Sequence, residues 1–243
     1  MKLASQRLKL HPLPLRKQII WSIQPGSKRN QVWFEHRKGR LTASKFAQIS
    51  RTGVECPSLS LLKSVMQYTQ SYTYRVPALI WGVEHEDLAR AQYAELSQQE
   101  HRLFECHPAD LTVNPDHPRL GASPDGTVSC ACCGDGLLEI KCPYKHQDQH
   151  PHQVTDPNFC LHRVNETILL QSTHDYYFRI QGHMAICQKD YCDFVCWTPK
   201  GMHVERILHD PSVFSKIKPS LDHFLRSVVL PELLTHTIKD GET

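Results

Sequence analysis

The sequence predicts a mixed α/β (α+β) domain, on three observations. Helical periodicity and helix-start signals fill the first hundred residues. Between His101 and Cys142 the pattern changes to short strands punctuated by Gly and Pro. After residue 173 one further helical stretch precedes two strand-like runs and a closing helix, so the order is not a regular βαβ repeat. With 243 residues, 40% of them hydrophobic, the chain can bury one sizeable core.

Taken in order, residues 1–28 are interrupted by Pro12, Pro14, Pro25 and Gly26, which predicts a basic arm with a short helix near Arg16–Trp21. A single domain is expected over 29–235 and a tail over 236–243. NQVWFEHRKGR predicts a short helix, and Thr42 is placed to cap a second one through ASKFAQI. Pro57 opens a third, SLSLLKSVMQYT. Pro77 starts a long one that ends near Gln99. Strands are expected in HRLFECHPADLTV, PRLGASPDGTV and GLLEIKC, the last two joined as a hairpin by a Gly134-Asp135-Gly136 turn. The stretch 143–172 is polar, His-rich and broken by Pro, and predicts no element. HDYYFRIQGHMAICQ predicts a helix, CDFVCWTP and MHVERIL two strands around a Lys200-Gly201 turn, and Pro211–Leu230 a closing helix.

Composition narrows the function classes. No run of eighteen apolar residues exists, so no membrane partner is expected. The N-terminus has no uninterrupted apolar stretch of the secretory type, and an intracellular protein is expected, nuclear or cytoplasmic. The acid-free basic start leaves a mitochondrial presequence as a further alternative. The ten cysteines fall mostly in or beside expected strands and helices, as reduced thiols of an intracellular protein would. A net charge of +3 hides an asymmetry: residues 1–40 hold ten Lys/Arg against Glu35 alone, while the remaining 203 hold 18 basic and 24 acidic residues. A basic front and an acidic body suit a polyanion partner and a carboxylate-rich site, although a solvated basic tail would read the same way.

The chemistry gathers in one hairpin. In GLLEIKC the side chains alternate, so Glu139 and Lys141 share one face while Leu138 and Ile140 share the other. The hairpin folds Asp125, from Ser123-Pro124-Asp125-Gly126, back towards Glu139. Two carboxylates and a lysine make a site for a hard, oxygen-liganded cation such as Mg²⁺, which can activate water at a phosphodiester. On the long helix, Glu86 lies in one stripe with Leu79, Val83, Ala89, Arg90 and Tyr93; a third acid for that site and a plain ion pair with Arg90 are both open there. On the later helix Gln181 lies among His174, Tyr177, Phe178, Met184 and Ala185, where a satisfied core glutamine is the ordinary reading.

These residues resemble a known family. Pro124-Asp125 followed by Glu139-x-Lys141 is the PD-(D/E)xK nuclease signature, and ASPDG…LLEIKCPY resembles its phage lambda exonuclease and YqaJ-type viral recombinase branch. Trp81-Gly82-x3-Glu86, Arg37-x-Gly39-x2-Thr42-Ala43-Ser44, Tyr177-x3-Gln181-Gly182 and Cys192-Asp193-Phe194-Val195-x-Trp197 resemble its further motifs, in the same order. The resemblance covers residues 30–210 and implies a restriction-endonuclease-like core, a central mixed sheet flanked by helices with an N-terminal helical region. It implies that Asp125, Glu139 and the backbone carbonyl of Ile140 ligate Mg²⁺, for which Mn²⁺ can substitute, with Glu86 assisting. Lys141 would orient the attacking water with help from Gln181. Arg37 and Ser44 would bind a 5′-terminal DNA phosphate, and Arg40 and Lys45 would supply backbone contacts. The implied activity is a 5′→3′ exonuclease on double-stranded DNA ends in recombination, repair or mobile-element DNA processing. A single-strand annealing protein is an implied partner and a homo-oligomer an implied assembly; no organic cofactor is expected. A structure-selective endonuclease and a silent DNA-end-binding module are the alternatives.

The same hairpin also carries the spacing of a zinc finger, Cys130 and Cys133 with His146 and His150. A finger needs a helix bearing its histidines, and Pro143 would fall inside it. Pro143 therefore argues against structural zinc at Cys130–Cys133, with a looser set using Cys130, Cys132 or Cys133 with His146, His150 or His152 left as the weaker alternative. Cys187, Cys192 and Cys196 match no iron–sulfur spacing and are expected to be buried thiols.

Overall fold

The computed structural model describes residues 21–23, 31–53, 55, 57–68 and 76–240. In chain order the elements are β1 (Trp21–Ile23), α1 (Gln31–Arg37), β2 (Leu41–Thr42), α2 (Phe46–Arg51), α3 (Leu59–Met66), α4 (Pro77–Glu100), β3 (Glu105–Pro108), β4 (Leu111–Val113), β5 (Leu120–Gly121), β6 (Gly126–Cys130) and β7 (Gly134–Lys141). They continue with β8 (Leu161–Val164), β9 (Thr167–Leu170), α5 (Asp175–Cys187), β10 (Tyr191–Thr198), β11 (Gly201–Leu208), α6 (Pro211–Phe224), α7 (Leu230–Thr235) and α8 (Thr237–Asp240). The mixed α/β character is as the sequence reading expected.

The central sheet runs β11-β10-β7-β6-β3. β10 lies parallel to β7, with Phe194 opposite Glu139 and Cys196 opposite Lys141; the other pairings are antiparallel. β10 is buried at all eight positions, as a strand covered on both faces must be. Its alternation divides the core. Cys192, Phe194 and Cys196 join Leu137, Ile180, Met184 and the helices α2, α3 and α6. Val195 and Trp197 join Leu138, Ile140, Ala89, Tyr93 and Phe104 under α4. The sheet is thus a sandwich filling between α4 on one side and α5 on the other.

Local signals explain most boundaries. Pro77 occupies the first turn of α4, where its missing N–H costs nothing. Ser58 caps α3 by accepting from the Leu61 N–H, and His174 caps α5 through the Tyr176 N–H. α3 and α5 both end on a residue in the left-handed region, Gln67 and Gln188. Thr42 stands before a short 3-10 turn at Ala43–Lys45 instead of capping an α-helix, and makes no side-chain cap bond; its hydroxyl is engaged by Arg37 and Ser44.

Three expectations need correction or limits. The β6–β7 turn is formed by Ala131–Cys133, and Gly134 and Gly136 belong to β7. Gly136 is needed there for room, because a Cβ would meet the Tyr191 ring at 2.2 Å. The stretch 143–172, for which no element was expected, forms the β8–β9 hairpin, turning through Asn165 at φ +55°. The helix expected near Arg16–Trp21 lies outside the described residues apart from Trp21, which begins β1. No helix among the described residues is long and apolar enough to cross a membrane.

Candidate active site

Glu139 is the residue that most needs explaining. It sits mid-strand, its side chain 1% exposed, flanked on β7 by Leu138 and Ile140, which face α4. A buried carboxylate is tolerated only with charged partners. Glu139 has two on the α5 face, Lys141 Nζ at 2.5 Å and Arg179 Nη1 at 3.1 Å, with the His183 imidazole Nδ1 beside them at 3.3 Å. Burial works to raise its pKa, but Lys141, His183 and Arg179 outweigh that and hold the carboxyl well below the usual carboxylate range.

Asp125 stands in the loop before β6 and is hooked to β7 at both ends. Its N–H donates to the Leu138 carbonyl (3.0 Å), and its carboxylate accepts from the Ile140 N–H (2.8 Å). That leaves Asp125 Oδ2 3.4 Å from Lys141 Nζ. The Ile140 carbonyl oxygen lies 2.6 Å from the same ammonium. Three oxygens, from Asp125, Glu139 and Ile140, therefore converge on one positive centre. Burial opposes the Lys141 charge, yet Asp125 and Glu139 keep its pKa above the ordinary lysine value. An all-oxygen donor set gathered around a cation is the chemistry a hard divalent ion requires, so the three expected ligands fit that role.

Glu86 is joined to this point through Arg90. The guanidinium donates to Glu86 Oε1 (2.6 Å) and to the Asp125 carbonyl (3.2 Å), and also pairs with Asp87. The i+4 ion pair is present, and it carries α4 to the rim of the Asp125 loop.

A cationic pocket adjoins the carboxylates. Arg37 Nη2 donates to Thr42 Oγ1 (3.2 Å), which lies 3.1 Å from Ser44 Oγ. Burial and the neighbouring charge of Arg179 depress the Arg37 pKa to about 10. Burial, Arg179 and Arg37 likewise lower that of Lys45. Cations that depress one another in a partly dry pocket create a site that an anion would relieve. Arg179 links the two regions, since it also pairs with Glu139.

Two sequence-expected residues are placed elsewhere. Gln181 is fully buried, and its amide donates to the Leu208 carbonyl and accepts from the Asp210 N–H. It fastens the β11–α6 corner, as a satisfied core glutamine, and the structure does not bring it to Lys141. Arg40 spends its guanidinium on the carbonyls of His36 and Pro118. The α5 residues that do face the site are Arg179, His183 and Tyr176, whose ring lies 5.2 Å from Lys141 Nζ and 5.7 Å from Arg179. Sequence reading passed over them. Their signal was present as an Arg and a His four residues apart on one helical face.

His146 and His150 do not join the cysteines: His146 pairs with Asp156, and His150 packs edge-on against His152. Cys187, Cys192 and Cys196 are buried, with Cys192 and Cys196 pushed far above the ordinary thiol pKa, mainly by burial and, for Cys196, first by its bond with Cys160.

Residues 32–190 match the YqaJ-like viral recombinase domain family. Among solved structures, the chain is similar to an alkaline exonuclease, LHK-Exo, from Laribacter hongkongensis, at 23% identity and TM-score 0.62, over 88% of this chain and 99% of that one. It is similar also to a phage-related exonuclease from Haemophilus somnus, at 11% identity and TM-score 0.50, over 79% and 94% of the two chains. The protein of a SOX–DNA complex matches at 10% identity and TM-score 0.52, over 83% and 68%. These likenesses are of fold, the restriction-endonuclease-like exonuclease fold. No curated protein matches the sequence.

Proposed function

The chain belongs to the YqaJ-like viral recombinase domain family, and from that premise we propose that it is a divalent-metal-dependent deoxyribonuclease that degrades double-stranded DNA ends 5′→3′. The observation that carries this reading is the convergence of Asp125, Glu139 and the Ile140 carbonyl on the Lys141 ammonium, next to the pocket of Arg37, Ser44 and Lys45. Asp125, Glu139 and Ile140 would hold Mg²⁺ or Mn²⁺, with Glu86 assisting from α4. When bound, the ion supplies Lewis-acid charge and a nucleophile at neutral pH.

The protein's own groups do the rest. Lys141, held protonated by its two carboxylates, orients the water and offsets charge growing on the phosphate oxygens. Arg179 and His183 fix the Glu139 carboxylate, so the acid cannot turn away from the reacting phosphate. Arg37 and Ser44 seat the 5′-phosphate as a guanidinium–hydroxyl pair, and Lys45 adds charge. Attack at the first phosphodiester inside that phosphate releases a 5′-mononucleotide and leaves a new 5′-phosphate for the next cycle.

The test uses linear duplex DNA labelled at one end, with 5′-phosphate or 5′-hydroxyl, in Mg²⁺ or EDTA, for the unaltered chain and Lys141→Ala. Mg²⁺-dependent release of nucleotides from the phosphorylated end, absent in the variant, is the expected result. Tight binding with no cleavage in Mg²⁺ or Mn²⁺ would reduce the protein to a DNA-end-binding module. Internal cuts in circular DNA would remove the end-recognition role from Arg37.

A further inference from the structure

The β6–β7 turn holds a second cluster of side chains, on the far side of the hairpin from Asp125 and unused by the chemistry above. α4 ends at Glu100 and is capped by His101, whose N–H still bonds the Ser97 carbonyl. The chain then turns through Leu103 in the left-handed region, and the Arg102 carbonyl accepts from the Ala131 N–H at 2.9 Å. That bond sets the helix end against the hairpin turn. His101 Nδ1 comes to lie 3.7 Å from Cys130 Sγ, 3.2 Å from Cys132 Sγ and 3.6 Å from Cys133 Sγ. Cys132 Sγ is 3.3 Å from Cys130 Sγ and 3.8 Å from Cys133 Sγ.

We propose that His101, Cys130, Cys132 and Cys133 form a structural zinc site that pins the C-terminal end of α4 to the β6–β7 hairpin. Tetrahedral zinc with sulfur at about 2.3 Å and nitrogen at about 2.0 Å sets S···S near 3.8 Å and N···S near 3.5 Å; the cluster already approximates those edges. All four ligand atoms lie within 4.8 Å of one another, which suits a single ion. An iron–sulfur cluster would spread its ligands over several irons. Three sulfurs and one imidazole nitrogen are a zinc donor set, and four protein ligands make a closed, structural site.

The surroundings supply what bound thiolates need. The Cys133 N–H donates to Cys130 Sγ at 3.2 Å, and the Arg206 guanidinium reaches Cys133 as well as Asp193. Binding Zn²⁺ releases three thiol protons and leaves a net charge of −1 on the site, beside that arginine. Two adjacent exposed thiols, Cys132 and Cys133, would otherwise be an open oxidation liability. The finger spacing pointed forward from these cysteines to His146 and His150, and so against zinc; the fourth ligand comes instead from 29 residues before Cys130. The Glu86 end of α4 is 15 residues from His101, about 22 Å along the helix, so the ion holds the scaffold and takes no part in cleavage.

The full chain, purified without chelator from zinc-supplemented cells, is assayed for metal by inductively coupled plasma mass spectrometry beside His101→Ala and the double variant Cys132→Ser/Cys133→Ser. About one zinc per chain is expected, falling to background in the double variant, whose substitutions lie on the surface. Cobalt exchanged into the unaltered chain should show thiolate-to-metal charge transfer and tetrahedral d–d bands. Metal-free protein with Cys132 and Cys133 freely alkylated, a disulfide among the three cysteines on non-reducing peptide mapping, or zinc retained by the double variant would each overturn the proposal. None of these readouts needs DNA or Mg²⁺, so failure of the nuclease reading leaves them intact.

Discussion

Glu139→Gln isolates the charge at the centre of the site while keeping its shape. The amide retains an oxygen for Lys141 and Arg179, but two cations then face a neutral group in a pocket where Glu139 is 1% exposed. Removing one partner of a buried ion pair costs about 3–5 kcal/mol. Here Lys141 is 16% and Arg179 28% exposed, and Asp125 still lies 3.4 Å from Lys141, which places the loss near the lower bound, about 3 kcal/mol. With a urea slope of about 2.5 kcal/mol/M, the unfolding midpoint falls by about 1.2 M. The sign with pH follows from the depressed Glu139 pKa. Its contribution is fully present above the unfolded value of about 4.3 and is lost as pH falls through the lower folded value, so the two proteins converge in stability below about pH 4. Mg²⁺ should raise the midpoint of the unaltered chain and not that of the variant, and nuclease rate should fall at least about a hundredfold. A midpoint shift worth less than about 1 kcal/mol at pH 7, or a gap that widens on acidification, would refute the reading of Glu139 as the ion-pair hub.

Arg37→Ala should weaken discrimination between 5′-phosphate and 5′-hydroxyl ends by about 1.5–3 kcal/mol, roughly 10- to 150-fold, with little effect on rate at saturating DNA; paired end-labelled substrates read this directly. Gln181→Ala should cost about 2–3 kcal/mol, because it strands the Leu208 carbonyl and the Asp210 N–H,; the rate per folded molecule should stay unchanged, and a rate loss without a stability loss would return Gln181 to the active site. Tyr93→Phe removes a 2.6 Å bond from the buried hydroxyl to Asp193, while Arg206 still grips that carboxylate through both nitrogens. Urea unfolding should show a loss of about 1.5–2 kcal/mol.

The parts of the fold that were legible in the sequence are those decided locally. Pro77, the alternation of GLLEIKC and the apolar run of CDFVCWTP act through backbone sterics and period, and each yields the element expected. The misreadings arise where packing decides. Gly134-Asp135-Gly136 has the composition of a turn, yet the glycine at 136 is there to admit the Tyr191 ring. The β8–β9 hairpin sits in a polar, Pro-broken stretch, where Leu161 and Leu170 find the core without a sustained alternation to announce them. α4 shows the limit of periodicity: Leu79 and Val83, taken as part of the packing face with Glu86, remain about half exposed, whereas Ala89 and Tyr93 are buried.

The site divides along the same line. Asp125, Glu139 and Lys141 are legible because one hairpin brings them together and strand alternation sets their face. Arg37 and Ser44 were singled out by the resemblance alone, and the structure joins them through the Thr42 hydroxyl. For Gln181 the apolar stripe of α5 pointed to a satisfied core glutamine, as the structure has it, and its site role came only from the resemblance; rotating from Gln181 to Arg179 and His183 changes the neighbour from the Leu208–Asp210 corner to Glu139. Only the sheet can choose between those two faces, and it does so through β7. With Leu138 and Ile140 committed to α4, whatever α5 presents on its inner side must meet Glu139. A buried carboxylate then demands charged and hydrogen-bonding partners there, and the Arg179 guanidinium and the His183 imidazole are the groups that α5 supplies.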